Sequence, residues 1–144
     1  MALNQLLSLV FFFFFCLPVD ASEAIVDLGY SVYKGTTLKN GQNQFLGIRF
    51  AAPPVGDLRF RKPQSPLPTK GIQAATAFRP VCLGVKGPFN NGLPKNQGED
   101  CLFLNVWSPS NVTRESEFPI FFWIGGGGYA FDFDANVSLT DVLA

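Results

Sequence analysis

Apolar and polar positions along this chain fall into short blocks rather than long periodic stretches. Residues 6–19 are almost continuously apolar and contain the phenylalanine run 11–15. That block is about 14 residues, short of the roughly 20 that a spanning helix needs. Val19, Asp20 and Ala21 place small or short residues at the −3 and −1 positions of a cut after Ala21. Together these features predict a signal peptide over residues 1–21. No Lys or Arg precedes the apolar core, so an uncleaved signal anchor is the competing reading. On the cleaved reading the mature chain, residues 22–144, is secreted and has no stable membrane span.

In the mature part, residues 25–34 alternate loosely and break at Gly29, which predicts a strand or an early hairpin. Residues 45–50 form a second apolar run, halted by Pro53, Pro54 and Gly56. Residues 61–98 are rich in Pro, Gly, Asn and Gln and read as one long loop, a length that calls for a staple or a function. Residues 101–107 are a strand candidate. The strongest strand signal is residues 118–124, nearly all aromatic or β-branched. Continuous apolar runs of that kind suit a central strand covered on both faces. Helical segments are few, though residues 139–144 could begin one. The pattern predicts an α/β class represented by short strands and loops, an incomplete domain at the front of a larger sheet.

Charge and composition narrow the function. Eleven basic and eleven acidic residues give a formal net charge of +0, so no basic footprint for nucleic acid exists. The chain has no histidine, which removes the commonest general base. No cofactor or metal set is evident. Asp132, Asp134 and Asn136 imitate the start of a calcium loop, but Val137 stands where glycine is needed and Leu143 where glutamate is needed. They are read as a surface loop.

Cys16 leaves with the signal, and Cys82 and Cys101 remain. In an oxidising compartment such a pair predicts a disulfide closing a loop of about 20 residues. Two buried free thiols are the alternative. Asn111-Val112-Thr113 and Asn136-Val137-Ser138 are N-glycosylation acceptor triplets, meaningful if the chain is exported.

Gly125-Gly126-Gly127-Gly128 follows the apolar run directly. Four glycines are entropically costly, and the usual reason is close approach of backbone N–H groups to an anion. A phosphate loop is excluded because no lysine follows. A dinucleotide loop fits the spacing from Gly125 through Gly127 to Ala130, but no amphipathic helix follows. An oxyanion hole also fits, since α/β-hydrolases take one N–H from a glycine-rich loop after an early strand. An unspecialised flexible turn is the remaining possibility.

Three longer stretches bear on that choice. Residues 45–60, Phe-Leu-Gly-Ile-Arg-Phe-Ala-Ala-Pro-Pro-Val-Gly-Asp-Leu-Arg-Phe, resemble the F-L-G-I-P-Y-A-x-P-P-V-G-x-L-R-F stretch of type-B carboxylesterases and cholinesterases. Residues 99–106, Glu-Asp-Cys-Leu-Phe-Leu-Asn-Val, resemble their E-D-C-L-Y-L-N-V signature, and residues 123–129 resemble W-I-x-G-G-G-F. The three stand in family order, and the similarity runs from about Ile25 to the end of the chain. The resemblance implies an α/β-hydrolase acting on small carboxylic esters or lipids without a cofactor. It implies that Gly127 and Gly128 donate the oxyanion N–H groups, that Cys82 and Cys101 form the first family disulfide, and that Arg59 and Glu99 form a structural ion pair beside it. Three positions depart from the pattern. Gly125 replaces the usual His, Tyr or Gln, Arg49 replaces a proline, and Tyr129 replaces phenylalanine.

The resemblance also implies a G-x-S-x-G nucleophile elbow, an acid and a histidine. No serine in residues 22–144 sits between glycines at −2 and +2. The chain therefore reads as the N-terminal part of an esterase domain, truncated before the elbow and inactive alone. A non-catalytic cholinesterase-like interaction domain and a non-functional truncated product are the alternatives.

Overall fold

A computed structural model describes residues 23–84 and 96–125. The described part begins with a hairpin of β1 (Ile25–Asp27) and β2 (Val32–Lys34), paired antiparallel with Val26 opposite Tyr33. The turn falls where the alternation breaks. Gly29 takes a left-handed φ of 81° and donates its N–H to Asp27 Oδ1 at 2.8 Å, and the Leu28 N–H closes onto the Ser31 carbonyl. Asp and Gly suit such a turn because the carboxylate bonds nearby backbone and glycine tolerates positive φ.

After the hairpin, β3 (Thr36–Thr37) and β4 (Gln42–Arg49) form a second antiparallel pair. A turn of 3-10 geometry, Gly56–Leu58, follows the Pro-Pro break. Residues 61–98, expected as one loop, contain three short strands: β5 (Ile72–Ala74), β6 (Val81–Cys82) and β7 (Gln97–Gly98). β5 adds in parallel to β2, and β6 pairs in parallel with β7. Strands of two or three residues carry too little pattern to be seen in a sequence. The last strand among the described residues, β8 (Phe103–Pro109), pairs antiparallel with β4. It starts two residues later than the apolar run beginning at Cys101.

A bulge in β4 ties the sheets together. The register between β4 and β8 shifts between Phe45 and Ile48. Within the bulge, Leu46 turns to the other side, bonds its N–H to the Ala75 carbonyl at 2.8 Å and bridges to Thr76. Gly47 makes this possible at φ 76°, and its N–H donates to Asn105 Oδ1 on β8. The core lies beneath: Ala24, Tyr33, Phe45, Ile48 and Ala75, with Val26, Tyr30 and Leu104 against them.

Residues 118–124 correct the sequence reading. They form no strand, and their side chains are exposed, Ile120 at 90% and Ile124 at 79%. β-propensity is realised only against a partner strand and a covering layer. Among the described residues no strand pairs with this segment. Also among the described residues, no helix is long and apolar enough to cross a membrane.

The bulge yields a comparison between two glycines. A Cβ at Gly47 would stand 2.3 Å from Arg79 Cγ and 3.0 Å from the Ala77 carbonyl oxygen, whereas one at Gly29 would meet nothing within 4 Å. Gly29→Ala carries only the left-handed backbone penalty, about 1–2 kcal/mol. Gly47→Ala adds overpacking, typically another ~1–3 kcal/mol. Urea unfolding of the two variants is expected to rank Gly47→Ala as the more destabilised. Equal midpoints would show that the bulge is not tightly packed.

Candidate functional site

Three consecutive residues, Glu99, Asp100 and Cys101, each tie a different part of the chain. Glu99 accepts from Arg59, whose Nη2 lies 2.5 Å from Oε1 and 2.6 Å from Oε2. Arg59 stands immediately after the 3-10 turn, with its N–H on the Gly56 carbonyl. The next residue, Phe60, has φ 59° and is 97% exposed. A bulky residue with positive φ is strained and persists only where its surroundings fix it. Here the Arg59 ion pair and the Arg61 N–H bond to the Leu58 carbonyl hold both flanks.

Cys101 is joined to Cys82 by a disulfide with an S–S distance of 2.03 Å. Beside it, the parallel β6–β7 pair sets Cys82 opposite Gly98, and the Val81 N–H bonds the Asn96 carbonyl. The bridge and the ladder therefore close the same loop at its base.

Asp100 makes the contact that the sequence did not disclose. Its carboxylate receives two parallel bonds from Arg49, Nη1 to Oδ1 at 2.6 Å and Nη2 to Oδ2 at 2.7 Å. The guanidinium also lies over the Phe103 ring, 4.4 Å from its centre. This follows from strand register, because Arg49 at the end of β4 faces Phe103 at the start of β8. Two tyrosines of the hairpin clamp the same backbone: Tyr30 Oη donates to the Arg49 carbonyl at 2.6 Å, and the Arg49 N–H donates to Tyr33 Oη at 3.4 Å. The bond to Asp100 raises the Arg49 pKa above the ordinary arginine value, against the opposing effect of burial. Burial, and then Tyr33, raise the Tyr30 phenol above its usual value. The only signal in the sequence was the arginine at a position where the resembled family has proline.

These groups line one side of an open cleft of about 670 Å³, whose walls include Tyr30, Tyr33, Arg49, Arg79, Asp100 and Phe103. The lining carries two arginines, Arg49 and Arg79, and two carboxylates, Glu99 and Asp100, and none of its side chains is a general base of the histidine type. Among the described residues no cluster of His, Cys, Asp and Glu is placed to hold a metal ion.

Of the other candidate residues, Asn111 is exposed in the turn after β8. Gly127, Gly128 and Asn136 lie outside the described residues, as do Cys16 and the whole of 1–21. Gly125, the first of the four glycines, is the last residue described.

Residues 22–144 match the sequence profile of the Carboxylesterase family. A medium-chain fatty acyl-CoA hydrolase precursor of Anas platyrhynchos is 41% identical over 110 residues, which is 69% of this chain and 20% of that protein. Carboxylesterase 5A of Mus musculus is 40% identical over 115 residues, 70% of this chain and 20% of the relative. The chain thus spans about a fifth of the length of these relatives. Among solved structures, Aspergillus niger EstA superposes with a TM-score of 0.75 at 43% identity, covering 83% of this chain and 23% of EstA. A PNB esterase gives a TM-score of 0.66 at 36% identity, covering 76% of this chain and 22% of that one.

The disulfide closes a loop with a sequence separation of 19. In the chain-entropy model such a loop stabilises the fold by roughly 3 kcal/mol. Cys82→Ser with Cys101→Ser is expected to lower the unfolding free energy by about that amount. Chemical denaturation of the paired variant checks it, and an unchanged midpoint would mean that the ion pairs and the β6–β7 ladder suffice.

Proposed function

Because this chain belongs to the carboxylesterase family, and its fold is the N-terminal part of an α/β-hydrolase, we propose that it supplies the oxyanion side of a secreted serine ester hydrolase. What supports this reading above all is the family match over residues 22–144 as one continuous stretch, with two signature stretches meeting at Glu99, Asp100 and Cys101. The substrate class is a carboxylic ester or lipid ester. Attack on the ester carbonyl moves negative charge onto its oxygen. The backbone N–H groups of Gly127 and Gly128 receive that charge, and the missing side chains let the carbonyl approach them. Fixed donors of this kind typically contribute ~3–4 kcal/mol each to the transition state.

These residues hold no histidine to shuttle the proton and no G-x-S-x-G elbow to carry the nucleophile. Oxyanion donors act only once a nucleophile attacks. The segment before Ser22 serves as the export signal, and the sequons at Asn111 and Asn136 become glycan acceptors during export.

Two experiments follow. The chain expressed in a secreting host is expected in the medium with Ser22 as its first residue. It should hydrolyse a short-chain nitrophenyl ester only at background rate and bind no stoichiometric organophosphate. A membrane-retained product beginning at Met1 would overturn the export reading, and saturable turnover with one labelled serine would overturn the division of labour.

The oxyanion role is tested by replacing the matching segment of Aspergillus niger EstA with residues 22–144. The chimera is expected to hydrolyse the ester, and Gly128→Pro, which removes one N–H, to lower kcat by ~10²–10³. A folded chimera whose activity ignores that change would end the assignment.

A further inference from the structure

Arg49 is mounted more firmly than any other charged side chain described in this fold. It sits in an eight-residue strand, its carbonyl and N–H are bonded to two tyrosines of the neighbouring hairpin, and an aromatic face lies under its guanidinium. Such a group has lost little further freedom when it grips a carboxylate. Its partner Asp100 lies next to the disulfide cysteine in sequence. The two ion pairs at the loop base differ in kind. Arg49–Asp100 is a parallel two-bond pair with side chains 23% and 43% exposed. Arg59–Glu99 uses a single nitrogen, with side chains 50% and 38% exposed. Fork-on-fork pairs are the stronger and more directional, and screening weakens the more exposed one further.

A proline at position 49 could make neither of these side-chain bonds, nor the backbone bond to Tyr33. The arginine therefore gives this chain an attachment that the resembled family pattern lacks. We propose that Arg49 is a positioning residue that holds the base of the Cys82–Cys101 loop on β4 without help from the disulfide. The bridge ties Cys101 to β6, whereas Arg49 ties Asp100 to β4, so the two links restrain the same base against different segments. When a dithiol takes up the bridge and leaves two thiols, the base stays docked, and the cleft wall formed by Gly98, Glu99 and Asp100 keeps its place.

Amide exchange read residue by residue on the full chain distinguishes this from general stabilisation. The Phe50 N–H, bonded to the Leu102 carbonyl, reports docking of the base on β4. The Gly35 N–H, bonded to the Ala24 carbonyl at the open end of the hairpin, reports the hairpin itself. Both are measured before and after reduction with dithiothreitol in the parent chain and in Arg49→Met, Arg49→Lys and Asp100→Asn. In the parent, reduction is expected to speed Phe50 exchange by less than about tenfold. In reduced Arg49→Met and Asp100→Asn, Phe50 is expected to exchange at least about 100-fold faster than in the oxidised parent, with Gly35 unchanged. Arg49→Lys should fall between, because an ammonium cannot make both parallel bonds. If reduction alone frees Phe50 in the parent as fully as in the variants, the proposal fails. If Gly35 accelerates in step with Phe50, Arg49 is a general stabiliser and the positioning role is likewise refuted.

Discussion

Residues 99–101 constrain the structure more than any strand does. Each of the three side chains goes to a separate segment: Arg59 behind the 3-10 turn, Arg49 at the end of β4, and Cys82 on β6. The tripeptide leads directly into β8, which pairs with β4 along most of its length. Fixing those three side chains therefore fixes where β8 begins, and with it the register that puts Phe103 opposite Arg49. The loops around positions 59 and 82 acquire their places from the same three contacts.

Such a device matters because the hydrophobic core is small. Its members are two alanines, a tyrosine, a phenylalanine and an isoleucine, and among the described residues no large side chain is buried completely. Apolar burial stabilises in proportion to area, so a core of this composition leaves a large share of the ordering of residues 50–84 and 96–101 to covalent and polar links. The bulge at Gly47 contributes in another way. It frees Leu46 from the β4–β8 ladder to meet Ala75 and Thr76, just past β5, so β4 serves two sheets at once.

The sequence disclosed the features that are local or chemically rare. Gly29 marked the hairpin turn, the Pro-Pro break marked the end of β4, and Cys82 and Cys101 could pair only with each other once Cys16 was set aside. The resemblance to the E-D-C-L stretch implied the Arg59–Glu99 contact, and the two residues do meet. The Arg49–Asp100 contact stayed hidden because it depends on a strand register that no spacing in the chain encodes. β5, β6 and β7 stayed hidden because each is stabilised by a distant partner and not by its own two or three residues. Residues 118–124 misled for the opposite reason. Their composition is that of a buried strand, yet composition does not supply the neighbours that make one.

Anchoring both ends of the Cys82–Cys101 loop separates what the loop's ends must do from how long its middle is. Once the base is held, extending the interior adds only closure entropy, about 0.6 kcal/mol for each doubling of a flexible loop. A change of length between two held ends is therefore mild, whereas a single substitution at 99, 100 or 101 severs a tie to a distant segment. Three adjacent positions thus carry a share of the fold's order out of proportion to their number.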